Sequence, residues 1–232
     1  MIGPRATALA WRVAAAGVLS AGLLGCGGRS GQGRPEPAAS TVGIEARGCR
    51  LLPNQAVGVA VDDDLVVTVA HAVAGEQDIE VTTPDGRTLP ASVAAIDPDL
   101  DAAVLHVDGL ELPALQRQSF DGARGAPASI VRIEDGRAEA VPVTIRRRVS
   151  INTTDIYREG KHVRPGFELG AGVAAGDSGS GVVDSEGRLL GVVWATSRES
   201  DDRAWALPIE AYDPLVEAAR AGTRPAATRC AR

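Results

Sequence analysis

Ser178 lies in Gly176-Asp177-Ser178-Gly179-Ser180-Gly181, a hydroxyl set among glycines that let the backbone turn sharply. Such a turn exposes the hydroxyl and aims neighbouring N–H groups at one point, as nucleophilic attack on a carbonyl requires. Apolar runs flank it, Val173-Ala174-Ala175 and Val182-Val183, which puts the turn at the mouth of a buried sheet. Gly-Asp-Ser-Gly is also ordinary hairpin composition, so the stretch gains meaning only if a base and an orienting group lie elsewhere. His71, just after the β-branched run 65–69, is the candidate base. Asp101, directly before Ala102-Ala103-Val104-Leu105, is the candidate orienting carboxylate. Asp97 and Asp99 stand close by with Asp99 as the alternative, but only Asp101 abuts the apolar strand that would face the histidine. His106, within the strand pattern 104–107, reads as a satisfied or surface histidine, and His162 as part of a basic polar loop.

Strands are the elements that must position these groups. The 232 residues are 44% hydrophobic but only 3% aromatic, so the core is aliphatic, and 27 glycines and 14 prolines among short apolar runs point to an all-β chain. A net charge of −6 argues against a nucleic-acid partner. Runs 57–61 and 65–69 form a hairpin around Asp62-Asp63-Asp64, an acidic turn that reads as a solvated loop, and no metal site is expected. Strands follow at 79–83 and 87–96 around Pro84-Asp85-Gly86. The glycine-rich polar segment 119–126 marks a boundary between two halves. Beyond it come strands at 128–133, 141–149, 189–195 and 204–207, with Arg146-Arg147-Arg148 read as a solvated strand end that discourages edge pairing. Over 209–221 the positions Ile209, Tyr212, Leu215, Val216 and Ala219 recur near helical spacing, so a closing amphipathic helix is expected.

Residues 1–25 have the pattern of an export signal, with Arg5 and Arg12 ahead of an apolar stretch at 13–24. That stretch falls short of the roughly 20 residues needed to cross a bilayer. Leu23-Leu24-Gly25-Cys26 resembles the bacterial lipobox, which implies a lipidated Cys26 held at a membrane surface by about 0.8 kcal/mol per buried CH₂. Residues 26–48 read as a flexible tether with few large apolar groups. An exported chain with three cysteines leaves an odd one; with Cys26 lipidated, Cys49 and Cys230 are expected to form a disulfide joining the ends of a domain over 49–232. In the chain-entropy model such a closure contributes on the order of 4–5 kcal/mol.

Taken in order, Thr68-Val69-Ala70-His71-Ala72-Val73, Asp101-Ala102-Ala103-Val104-Leu105 and Gly176-Asp177-Ser178-Gly179-Ser180 resemble the motifs of the trypsin-like (chymotrypsin-fold) serine proteases. Within them they are similar to the bacterial export-associated branch, with the HtrA/DegP group and membrane-tethered actinobacterial relatives. Trp205-Ala206-Leu207-Pro208 is similar to the apolar segment that ends the second barrel in that branch. The resemblance covers roughly residues 50–220. It implies two six-stranded antiparallel β-barrels, about 50–122 and 123–208, with the catalytic groups in the cleft between them. His71 would then be the general base, Asp101 its orienting partner, Ser178 the nucleophile, and the N–H groups of Gly176 and Ser178 the oxyanion hole. Trp194, Ala195 and Thr196 would pair with an extended peptide as an added strand. Gly172 stands where cleavers after basic residues carry an aspartate, so segment 170–175 would favour small or medium apolar side chains. Gly181 departs from the family's proline, and Trp194 from its small residue; the ring either narrows the site or points into the core. The implied protein is an exported, lipid-anchored serine endopeptidase acting on proteins or peptides, a monomer with no cofactor. No PDZ-like segment follows the helix, so the regulated HtrA oligomer is not implied. The alternative is a catalytically silent protease-fold binding or sensing lipoprotein.

Overall fold

The computed structural model describes residues 36–170, 172–174, 176–197, 200 and 202–231, all within the unit Arg34–Arg232. The expected signal segment and Cys26 lie outside the described residues.

Six strands make the first barrel: β1 (Thr41–Arg47), β2 (Asn54–Ala60), β3 (Leu65–Thr68), β4 (Asp78–Thr82), β5 (Thr88–Asp97) and β6 (Ala102–Val107). Their spatial order is β1-β2-β3-β6-β5-β4, closed by antiparallel pairing of β4 with β1. Small and β-branched side chains fill it, with Val42, Val59, Val67, Val81, Val104 and Leu105 wholly buried. These are the residue types that pack a narrow barrel without aromatic bulk. The second barrel contains β7 (Ala126–Glu134), β8 (Arg137–Thr153), β9 (His162–Gly170), β10 (Gly181–Val183), β11 (Leu189–Thr196) and β12 (Arg203–Pro208), in the order β10-β11-β12-β9-β8-β7 and closed by β10 against β7. Ile130, Ile145, Phe167, Leu169, Val182 and Ala206 form its core.

Two short helices complete the frame. α1 (Ala70–Val73) follows β3 and carries His71. After a 3-10 turn at Ile209–Tyr212, α2 (Asp213–Arg220) leaves the second barrel and packs on β5 and β6 of the first. Its start is fixed by the buried Tyr212, whose hydroxyl donates to the Thr68 carbonyl at 3.0 Å. Cys49 and Cys230 are bonded across 181 residues, as the cysteine count implies.

Several expectations are corrected. The tether expected over 26–48 ends earlier, because Thr41–Arg47 is β1 with Val42, Ile44 and Ala46 turned inward. Those three residues alternate with period 2, enough to fill one face of a barrel although none is large. β9 begins at His162, a residue read from the sequence as part of a basic polar loop, with its Nδ1 3.4 Å from Asp99 Oδ2. The arginine triplet is not a solvated strand end but the middle of the 17-residue β8. There Arg146 pairs with Asp202, Arg147 with Glu168, and Arg148 with Glu210.

Candidate active site

Pairing of β3 with β6 brings the end of one strand beside the start of the other, with Thr68 opposite Ala103. The residues just beyond that pair are therefore neighbours: α1 with His71 on one side, and Asp101 on the other. Asp101 is 5% exposed and takes a left-handed backbone conformation, φ 60°, which turns its carboxylate under α1. Its Oδ1 accepts the His71 backbone N–H at 2.8 Å, and its Oδ2 lies 2.8 Å from His71 Nδ1. One carboxylate thus holds both the backbone and the ring of the histidine, leaving Nε2 as the other ring nitrogen available for proton transfer. Asp97 and Asp99 do other work. Asp97 Oδ1 accepts the N–H groups of Asp99 and Leu100 and shapes the turn, while Asp99 faces His162. His106 sits half-exposed with Nε2 3.1 Å from Asp64 Oδ2, as its place in β6 suggests.

Ser178 comes from the second barrel but docks on the first. Its carbonyl accepts the Val57 N–H at 2.8 Å, and Gly179 N–H donates to Val193 O at 2.7 Å. Gly179 has φ +93°, and a Cβ there would stand 1.8 Å from the Val57 carbonyl oxygen and 2.8 Å from Thr68 Oγ1, so only glycine fits. The serine turn is therefore pressed against Val57 and Thr68, the latter three residues before His71. Asp177, nearly fully buried, braces the turn from inside: its carboxylate accepts the Ala174 N–H at 2.8 Å, and its own N–H donates to Ala174 O at 3.2 Å. Gly176 has φ +100° and borders a groove of about 410 Å³. β1, β2 and the turns at Thr82–Pro84 and Asp135–Gly136 complete its walls.

Gly172 is exposed, beyond the end of β9. Trp194 is the extra residue of a bulge in β11, where pairing with β12 shifts between Val193 and Ala195. A bulge re-aims a side chain, and here the indole lies over the guanidinium of Arg164, whose carbon is 4.7 Å from the ring centroid. The ring thus packs half-buried over Arg164 and the core. Beyond Val193, among the described residues, no strand pairs with the edge of β11 opposite β12.

Arg164 is the site residue that sequence reasoning missed. It is 3% exposed in β9, donating from Nε to Asp99 O at 2.5 Å and from Nη2 to Thr154 O at 2.9 Å, with Nη1 3.8 Å from Asp101 Oδ2. Burial pushes its guanidinium down from the usual arginine value, and the carboxylates of Asp101, Asp97, Asp99 and Asp155 oppose that. The signal that could have revealed it is an inversion: in β9 the apolar Val163 is 62% exposed while the next residue, a cation, points inward.

Two closed antiparallel barrels, a histidine and aspartate in contact on one, and a glycine-framed serine docked onto it from the other define the class of chymotrypsin-like folds. A model of the trypsin-like peptidase domain matches residues 56–192, and the chain belongs to that family. It is 30% identical over 155 residues to serine protease Rv3671c of Mycobacterium tuberculosis, covering 66% of this chain and 39% of that protein. It is 26% identical over 161 residues to a probable periplasmic DegP-like serine endoprotease of Halomonas elongata, covering 64% of this chain and 31% of that one. The chain therefore spans less than half the length of these relatives. The crystal structure of the Rv3671c protease in its active form superposes with a TM-score of 0.78 at 26% identity, over 84% of this chain and 87% of that one. Its inactive form gives 0.69 at 27% identity, over 78% of this chain and 89% of that one. Among the described residues, no helix is long and apolar enough to cross a membrane.

Proposed function

We propose that the chain is an extracytoplasmic serine endopeptidase that acts as a monomer on protein or peptide substrates and is held at a membrane surface by lipidated Cys26 once residues 1–25 are removed. His71 takes the Ser178 proton as the hydroxyl attacks the scissile carbonyl, then gives it to the leaving amine. Asp101 keeps the His71 Nδ1 proton in place and offsets the charge of the imidazolium. The N–H groups of Gly176 and Ser178 receive the oxyanion, each donor contributing about 3 kcal/mol by comparison with other enzymes. Water then repeats the sequence to release the acyl group.

The observation that carries this reading is the double contact of Asp101 with His71, its N–H and Nδ1 both at 2.8 Å, beside the docked serine turn. The closer match to the active than to the inactive form of Rv3671c supports it as well. An extended substrate is proposed to add to the open edge of β11 at Trp194, Ala195 and Thr196, with the side chain of the residue before the cleaved bond toward Gly172. The groove beside Gly176 then takes the residues after the cleaved bond. With no carboxylate at Gly172, cleavage is expected after small or medium apolar residues. Incubating the protein spanning residues 27–232 with a peptide library and sequencing the products tests this. Cleavage that disappears in Ser178→Ala is expected; cleavage that persists in that variant, or none by the folded wild type, overturns it. Membrane association of the full-length protein that is lost in Cys26→Ala tests the anchor.

A further inference from the structure

The contact between Asp101 and Arg164 has no part in proton transfer, yet it costs the fold a buried cation. A charge without partners is not tolerated in an interior, so the partners of this one are informative. Two of the three lie on the turn that holds Asp101, and the third, Thr154, is in the same arm as Arg164. Nε binds the carbonyl of Asp99, two residues before Asp101; Nη2 binds the carbonyl of Thr154, at the end of β8; Nη1 faces the Asp101 carboxylate at 3.8 Å. Trp194 covers the guanidinium face. The hairpin that carries Arg164 also seats Ile156 in the apolar core shared with the first barrel, and the Ile156 N–H donates to Pro98 O at 3.2 Å. An arm of the second barrel thus grips the turn of the first that presents Asp101.

We propose that Arg164, capped by Trp194, is a positioning residue for the catalytic base: it holds the Asp101 turn in register and sets a buried positive charge beside the Asp101 carboxylate that orients His71. The proposal rests on the reading of His71 and Asp101 as catalytic partners. Arg164 touches no substrate and acts only through Asp101. Because it belongs to the opposite barrel, correct aim of the histidine depends on the two barrels being docked. A carboxylate whose turn loses such a hold swings out of line and displaces the imidazole. Displacement of a reacting group by about 1 Å costs on the order of a hundredfold in rate.

Arg164→Gln keeps a donor for the two carbonyls but removes the charge; Arg164→Lys keeps the charge. With fold checked by circular dichroism, the proposal expects Arg164→Gln to lower kcat about a hundredfold with KM nearly unchanged, and Arg164→Lys to recover most of it, within about tenfold of wild type. In proton NMR at low pH, the far-downfield resonance of the His71 Nδ1 proton, identified by its loss in His71→Gln, is expected in wild type and Arg164→Lys and absent from Arg164→Gln. Full kcat in a folded Arg164→Gln, equal losses in both variants, or an undisturbed resonance in Arg164→Gln overturns the proposal. Should Arg164→Gln not fold, Arg164→Lys decides alone: retained resonance with kcat within about tenfold of wild type upholds it, and loss of either overturns it. A wild type with no peptidase activity counts against the proposed function, while the resonance still reads the hold of Arg164 on Asp101 by itself.

Discussion

Asp101 joins two demands in one residue, a left-handed backbone and a buried carboxyl side chain that holds His71 by its N–H and its ring. Aspartate and asparagine are among the few non-glycine residues that enter that conformation readily. Asp101→Asn is therefore expected to keep the turn while giving His71 Nδ1 the wrong partner. Steady-state kinetics should show kcat lowered by about 10⁴, with far-UV circular dichroism unchanged. Gly179→Ala belongs to the same scale and has a different outcome. Its Cβ meets the backbone of Val57, which cannot move aside without opening β2. The strain should cost at least about 3 kcal/mol and appear in denaturant melts as a lower midpoint together with lost activity.

At the scale of elements, α2 is tied to the site by Tyr212, whose phenol is buried beneath the Thr68 carbonyl. Burial, with a further push from Asp101, raises this phenol well above its usual value. In the unfolded chain it ionises near pH 10, whereas in the fold it stays neutral. The stability it supports is thus complete below about pH 10 and declines above it, by roughly 1.4 kcal/mol per pH unit. Tyr212→Phe should be less stable than wild type by about 1 kcal/mol at neutral pH, with the gap narrowing as melts are taken toward pH 11. The Tyr212 segment was legible from its helical spacing, and the β2–β3 hairpin from its β-branched runs. β9 was hidden at its start, where Val163 is exposed while Arg164 is buried against ion partners, so the alternation that Phe167 and Leu169 keep later in the strand is inverted there. β1 was hidden by the small size of its inward residues, although Val42, Ile44 and Ala46 alternate correctly.

At the scale of the whole molecule, the connections that hold the barrels and chain ends together include the β8–β9 arm with Arg164, the serine turn on Val57, α2 on β5 and β6, and the Cys49–Cys230 bond. The last closes a loop of 181 residues, so its loss enlarges the unfolded ensemble more than it disturbs the site. The Cys49→Ser, Cys230→Ser pair should lose on the order of 4–5 kcal/mol, read as a fall of roughly 10 °C or more in Tm. The order of His, Asp and Ser along the chain and the pairing of the cysteines could be read without coordinates; the dependence of one barrel's aspartate on the other's arginine could not, since no local pattern encodes a contact between Asp101 and Arg164. The central claim is that both barrels converge on one reactive hydroxyl, and covalent titration with a fluorophosphonate tests it most directly. The account predicts one phosphonyl group per folded chain, located on Ser178 by peptide mapping and abolished in His71→Ala. A folded wild-type protein that takes up no label, or takes it up elsewhere than Ser178, would contradict it.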